Sequence, residues 1–233
     1  IAYLNNGGKV LISTSYIDSF SEEMPNLTKV LSEFGLSIGN GLIVEQDNAR
    51  MYQNPIYLLP NVSSDSLTNG VYGKSYDYIM MPYAQPILTK EKDGVTLTTL
   101  LTTSEKAYSK TDLNQSSDVK KTEDDAQGPF TVGVKAVKTL ASGEEAQLIL
   151  YSSSYLFTES ANQYTMDNNL TLFTNAISTM AGESESISIP TKSMASTYAT
   201  VPTASAVRYG ILLMGILPIG LPAAGIIIWA RKR

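Results

Sequence analysis

The residue types that carry most enzyme chemistry are missing from this 233-residue chain, which has no Cys and no His. That removes the thiolate nucleophile, the most common general base and the most common metal ligand, leaving hydroxyls, carboxylates and amines. Ser13, Thr14 and Ser15 follow the apolar run Lys9-Val10-Leu11-Ile12-Ser13, the place where α/β sheets put their sites. A nucleophilic Ser needs a base beside it, and Lys9 lies within that run and not beyond it. The acidic pairs Asp124-Asp125 and Glu144-Glu145 are adjacent in sequence. In extended chain their side chains point to opposite faces, so they cannot jointly hold a metal or divide acid and base roles, and they read as solvated charge.

Two Gly-rich stretches resemble phosphate-binding loops and fail in detail. Gly70-Val71-Tyr72-Gly73-Lys74-Ser75 has Thr68 where a P-loop needs its first Gly, and Gly39-Asn40-Gly41 would place the third Gly of a dinucleotide fingerprint at Val44. Both are turns. Four N-x-S/T triplets, at Asn26, Asn61, Asn114 and Asn169, are no more than a Ser/Thr-rich chain gives by chance. No catalytic residue, no cofactor site and no metal site is therefore expected. One alternative is a cell-surface binding protein. The segment from Tyr52 to Tyr83 is rich in Tyr, whose amphipathic rings suit the capture of a glycan or peptide, although core and turn positions account for such residues as easily. A membrane-anchored Ser/Lys hydrolase ranks last. The net charge of −5 and the sequence pI near 4.8 argue against nucleic acid, since no basic stripe precedes the final three residues.

The elements that must position these residues follow an α/β pattern. Lys9–Ser13 suits a central strand. A helix from Asn26, with Leu27, Val30, Leu31 and Phe34 at helical spacing, is closed by Gly35, and Leu42 to Val44 is the next strand. Strand, helix, strand is the grammar of a parallel sheet covered by helices. Strands are expected at Tyr78 to Met81 and Val95 to Thr102, and a hairpin joins Thr131–Leu140 to Gln147–Tyr151 across Ala141-Ser142-Gly143. The almost wholly polar stretch from Ser104 to Gln127 reads as a long mobile loop. A last helix, capped by Asp167 or Asn168 and closed by Gly182, precedes an edge strand at Ile187–Ile189.

The chain ends in Gly210 to Ala230, 21 residues without a charged, amide or hydroxyl side chain, flanked by Tyr209 and Trp229 and followed by Arg231, Lys232 and Arg233. As one helix it would be ~31 Å long, enough to cross a bilayer core, with its basic end in the cytoplasm. The expected organisation is an extracytoplasmic domain over residues 1–190 with its front part missing, a linker over 191–208, a transmembrane helix over 209–230 and a cytoplasmic tail over 231–233. In the helix, Pro218 and Pro222 share a face beside the small residues Gly220 and Ala224, a pattern that favours packing against a partner helix.

Several stretches, taken in order, resemble the carboxyl-terminal portion of the GldG-like auxiliary components of ABC transporters, of the gliding-motility-associated type. They are Tyr3 to Ile12, Leu27 to Gly35, Leu100 to Tyr108, Gly128-Pro129-Phe130, Asn169 to Gly182 and the Pro- and Gly-containing end with its basic tail. Where such family members carry a Gly-Asp-Ser-like turn, this chain has Tyr151-Ser152-Ser153-Ser154. The resemblance implies a mostly parallel α/β sheet with flanking helices, similar to class I glutamine amidotransferase-like domains, on a carboxyl-terminal transmembrane helix. It implies a non-catalytic accessory subunit in the bacterial cell membrane, partnered by an ABC permease and, through it, a cytoplasmic ATPase. Amidotransferase chemistry requires a Cys and a His, so the likeness would be one of fold and not of reaction.

Overall fold

In the computed structural model, which describes residues 1–113, 120–182 and 202–232, the run Lys9–Ser13 forms strand β1. It is entered from a 3-10 turn, Leu4–Asn6, that Gly7 closes at φ 76°. Helices α1 (Phe20–Glu23) and α2 (Pro25–Ser32) follow, and Pro25 supplies the preset φ of a first helical position. Ten short to medium strands then run to residue 127 or begin the last hairpin: β2 (Leu36–Ile38), β3 (Leu42–Val44), β4 (Met51–Tyr52), β5 (Asn54–Leu58), β6 (Asn61–Val62), β7 (Met81–Pro82), β8 (Ile87–Thr89), β9 (Val95–Thr102), β10 (Tyr108–Lys110) and β11 (Ala126–Gln127). The hairpin is β12 (Thr131–Thr139) and β13 (Glu145–Tyr151). Helices α3 (Glu159–Tyr164) and α4 (Asn168–Ala181) complete this part, with Gly182 ending α4 at φ 76°.

The main sheet has seven strands. Its path runs β1-β13-β12-β8-β2, and β12 also pairs β9, which pairs β6. The expected mostly parallel, amidotransferase-like sheet is not what forms. Only β1 and β13 run parallel among the described pairs, in register from Lys9↔Gln147 to Ser13↔Tyr151, and every other pairing is antiparallel. The physical reason is connection length. A parallel return needs a crossover of a dozen or more residues, usually a helix, whereas β4–β5, β5–β6, β7–β8 and β8–β9 are joined by short turns and the longer β6–β7 link carries a 3-10 turn in place of an α-helix. The strand-helix-strand pattern at the start does not close on itself either. β2 pairs antiparallel with β8 and β3 pairs antiparallel with β10, so β1 takes its partner from far along the chain and lies at one end of the sheet, not in its centre.

Both faces of the sheet are covered, which explains the unbroken apolar run in β13. Leu148 and Leu150 turn to one cluster with Leu4, Phe20, Leu31, Phe34 and Val134. Ile149 and Tyr151 turn to the other with Ile43, Leu58, Ile79, Leu100, Val132, Leu156 and Leu172. A strand buried on both faces shows no alternation because neither set of side chains meets water, and each fully buried Leu or Ile contributes about 1.5–3 kcal/mol. Two small sheets flank this body, ordered β11-β10-β3 and β4-β5-β7.

The stretch expected as a mobile loop is tied down at both ends. Tyr108 and Ser109 are buried in β10, and Lys110, 7% exposed, pairs at 3.3 Å with Asp125, 5% exposed. The Asp125 carboxylate also accepts from the backbone amides of Thr111 and Thr122 and from the Thr122 hydroxyl. Burial opposes its ionisation, but these donors and the Lys110 ammonium outweigh it and hold the carboxyl below the usual carboxylate range. Polar closure therefore supplies the order that apolar burial could not, and Asp125 is not the solvated charge expected, while Asp124, Glu144 and Glu145 are exposed. Residues 114–119 lie outside the described residues, as do the expected edge strand at 187–189, most of the linker and Arg233.

The carboxyl-terminal region corrects a further expectation. It comprises α5 (Thr203–Gly210), a π-helical stretch Ile211–Ile216 and α6 (Leu217–Arg231). Among the described residues no helix is long and apolar enough to cross a membrane. The 15 residues of α6 rise ~22 Å against a hydrocarbon core of ~30 Å. The apolar run is broken at Pro218, which has no N–H to bond four residues back and whose ring displaces that carbonyl, so the preceding turn widens to the π form. The expected single-pass placement in a bacterial membrane, with the domain outside and the basic tail in the cytoplasm, rested on one continuous helix and loses its ground. Pro218, Gly220 and Pro222 are exposed on α6, Ala224 follows in the same helix, and a Cβ on Gly220 would meet nothing within 4 Å.

Candidate functional site

The Tyr-rich segment folds as the small sheet β4-β5-β7. Tyr57 on β5 stands opposite Pro82 on β7, and the Tyr83 amide donates to the Ile56 carbonyl at 3.1 Å. This sheet lies against the segment that leaves the carboxyl end of β13. There Ser152 and Ser153 are fully buried, the Ser152 amide donates to Val132, and the Ser153 hydroxyl donates to the Pro82 carbonyl. The Ser13 hydroxyl donates to the Ser153 carbonyl at 2.7 Å, and the Ser15 and Ser154 hydroxyls share a hydrogen bond of 2.6 Å. Thr14 Oγ1 is buried without a hydrogen-bond partner. The Ser13 and Ser15 hydroxyls thus fasten the end of β1 to the segment after β13, and Ser153 ties that segment to β7.

Past Ser153 a 3-10 turn, Ser154–Phe157, presents Tyr155, and Thr158 caps α3 by accepting from the Ala161 amide. Helix α3 then brings Ala161 and Tyr164 to face the small sheet. Two Asn side chains at the start of α4 lock the arrangement. Fully buried Asn169 donates to the carbonyls of Met80 (2.9 Å) and Leu156 (2.7 Å) and accepts from the Met80 amide (3.1 Å). Its neighbour Asn168 donates to the carbonyls of Tyr76 and Tyr78. The sequence offered Asn168 only as a helix cap and Asn169 only as part of a chance triplet.

Between the small sheet and α3 runs a groove of about 320 Å³, lined by Tyr57, Met80, Pro82 and Tyr83 on one side and Tyr155, Thr158, Ser160, Ala161 and Tyr164 on the other. None of these residues is charged. Tyr52 packs on Tyr164 with ring centroids 4.9 Å apart, Tyr83 on Tyr155 at 5.1 Å, and Tyr57 meets Tyr83 edge-on at 5.9 Å. A hydrogen bond with Tyr57, then burial, raises the Tyr83 phenol above its ordinary value, and burial, then Tyr164, raises Tyr52. These hydroxyls are therefore neutral at physiological pH. The backbone here is strained as well. Of the five described non-Gly residues with positive φ, Tyr83 (56°) lines the groove and Gln53 (58°) follows Tyr52; Met166 (52°) and Asp167 (65°) lie between α3 and α4, and Ser19 (49°) precedes α1. Each costs about 1–3 kcal/mol and persists where the surroundings over-determine it.

Other groups that could do chemistry are committed elsewhere. Asp65 pairs with Lys135 while accepting from the Leu67 amide, and burial, with the Asp65 charge added, pushes the Tyr151 phenol far up. A larger hollow of about 420 Å³ lies between Tyr3, Lys9 and the end of α4, but the Lys9 ammonium donates there to the Thr179 carbonyl, as a helix-end cap does. Among the described residues no three His, Cys, Asp or Glu side chains gather as a metal site would need. The sequence nominated Tyr52 to Tyr83 for binding; the structure adds Tyr155 and Tyr164, which no local pattern marked.

No family model and no curated protein matches the chain. Among solved structures it is similar to an mmIFT52 N-terminal domain, at 12% identity and a TM-score of 0.53, over 80% of this chain and 70% of that one. At that identity the likeness is one of fold alone. The expected descriptor of a membrane-spanning component is corrected: among the described residues no helix is long and apolar enough to cross a membrane.

Proposed function

We propose that the chain is a non-catalytic recognition domain whose Tyr-lined groove captures a neutral segment of a peptide or glycan. One observation carries this reading: Tyr side chains from three separate parts of the chain converge on a single uncharged groove, one of them, Tyr83, held at positive φ. Rigid aromatic rings tipped with hydroxyls give large contact area at low entropic cost. The test is binding of the full chain to arrayed neutral peptides and oligosaccharides. Tyr155, 47% exposed, is replaced by Ala, since its truncation spares the core. Array binding that is saturable and lost in Tyr155→Ala supports the reading; binding that Tyr155→Ala leaves unchanged sinks it. A second reading, an accessory role beside a permease and an ATPase, rests on the ordered family-like stretches alone, and co-purification of the full-length protein with both components tests it.

A further inference from the structure

Resting on the reading of this groove as a binding site, we infer that its occupant is a proline-rich peptide segment in the polyproline II conformation, lying between β7 and α3. The first argument is charge. None of the lining residues is ionised, so nothing there pairs with an acidic or basic ligand, and a charged segment would lose its hydration without compensation.

The second argument is hydrogen-bonding chemistry. The lining side chains with polar atoms are all hydroxyl-bearing, Tyr57, Tyr83, Tyr155, Tyr164, Thr158 and Ser160, with no side-chain carboxylate or amide among them. The Thr158 hydroxyl is already committed to the Tyr155 carbonyl and the Ala161 amide, and Tyr57 and Tyr83 hydrogen-bond one another, so the hydroxyls of Tyr155, Tyr164 and Ser160 are the donors offered to a ligand. A polyproline II segment suits such donors. It makes no internal hydrogen bonds, its proline residues have no N–H, and its carbonyls point outward in need of donors. A sugar offers a donor with every acceptor, and planar carboxylate or amide groups, which take up both, are missing from this lining.

The third argument is shape and entropy. Tyr83 packed on Tyr155 and Tyr52 packed on Tyr164 form two aromatic ridges, and pyrrolidine rings fill the spaces beside such ridges. One polyproline II turn of three residues advances about 9 Å and is already formed in the free peptide, so little order is lost on binding. The strained backbone at Gln53 and Tyr83 fixes the rings beforehand, which reduces the cost on the protein side as well.

The experiment titrates the full chain, carrying ring-labelled Tyr, with a decaproline peptide, following ring resonances and heat. A Gly/Ser peptide of equal length and neutral cello- and chito-oligosaccharides serve as comparison probes. Saturable decaproline binding with shifts at Tyr83, Tyr155 and Tyr164 is expected, with no binding of the Gly/Ser peptide. Tyr155→Ala should weaken it about tenfold, as loss of one hot-spot ring does, and Tyr155→Phe should weaken it about threefold by removing only the donor. Circular dichroism confirms that each variant is folded. Saturable oligosaccharide binding in the groove without decaproline binding overturns this inference and leaves the groove a recognition site. Decaproline binding that shifts none of these rings, or that Tyr155→Ala does not weaken, overturns the inference. Failure of every probe together with failure of the arrays overturns both readings.

Discussion

Asn169→Ala is the most discriminating test of how the groove is held. The side chain is fully buried and makes three hydrogen bonds, two donated to Met80 and Leu156 and one accepted from Met80. Met80 lines one wall, and Leu156 follows Tyr155 on the other, so one amide ties both walls to the start of α4. Truncation leaves a buried N–H and two buried carbonyls unpaired. Each unsatisfied group costs about 1–3 kcal/mol; allowing for a carbonyl that keeps a second partner and for a water entering the space, the loss should be about 3–4 kcal/mol, a large share of the 5–15 kcal/mol typical of a domain. Urea denaturation followed by circular dichroism measures it, with the exposed Asn61→Ala as a surface control expected within about 0.5 kcal/mol of the parent. Asn169→Asp should be no milder, since it keeps the acceptor, loses both donors and buries a carboxylate. A loss below about 1 kcal/mol for Asn169→Ala would refute the claim that this amide joins the walls.

Two other outcomes follow from contacts described above. The Asp125 carboxyl lies below its unfolded value, so its contribution is fully present above the ordinary carboxylate pKa of about 4 and is lost as pH falls through the lower folded value; amide exchange in residues 108–110 and 122–127 should therefore rise steeply below about pH 4, and Asp125→Asn should bring that fast exchange to neutral pH, whereas a flat profile in the parent would count against the clasp. Gly41→Ala should destabilise by more than about 1 kcal/mol in thermal melts, because Gly41 has φ 89° and an added Cβ would lie 2.5 Å from Ser109 Oγ and 2.8 Å from the Lys110 carbonyl; an unchanged melting point would show that the turn relaxes.

Parts of this molecule were legible in the sequence because their causes are local. The β12–β13 hairpin announces itself through the Gly143 turn, and α4 through its apolar period and Gly182, because both signals lie within a few residues of what they specify. Pairing partners are another matter. The run Lys9–Ser13 reads as a strand on composition alone, yet nothing near it says that Gln147 to Tyr151 will lie alongside, and the strand-helix-strand pattern pointed to a parallel neighbour that never forms. Composition also carries no sign of the buried Lys110–Asp125 pair before β11, since the two residues are far apart along the chain. At the carboxyl end, a search for charged, amide and hydroxyl side chains passes over Pro218 and does not register its missing N–H. For the groove, Tyr52 to Tyr83 was visible as a concentration of one residue type. Tyr155 and Tyr164 join it through ring packing on Tyr83 and Tyr52, long-range contacts that carry no signal along the chain.

The parallel joint between β1 and β13 sets the schedule on which this protein can mature. Residue 9 leaves the ribosome long before residue 147, its first partner in the ladder, and at 5–20 residues per second the wait is about 7–30 s. Until then β1 is an apolar strand with an unsatisfied edge, open to whatever pairs with it first. Helices α1 and α2 can form early from neighbouring residues, but the cluster that holds Phe20, Leu31 and Phe34 also requires Leu148 and Leu150. This cluster is therefore assembled only when the last hairpin arrives, and a nascent chain that stalls between residues 110 and 145 should be the form most dependent on chaperones.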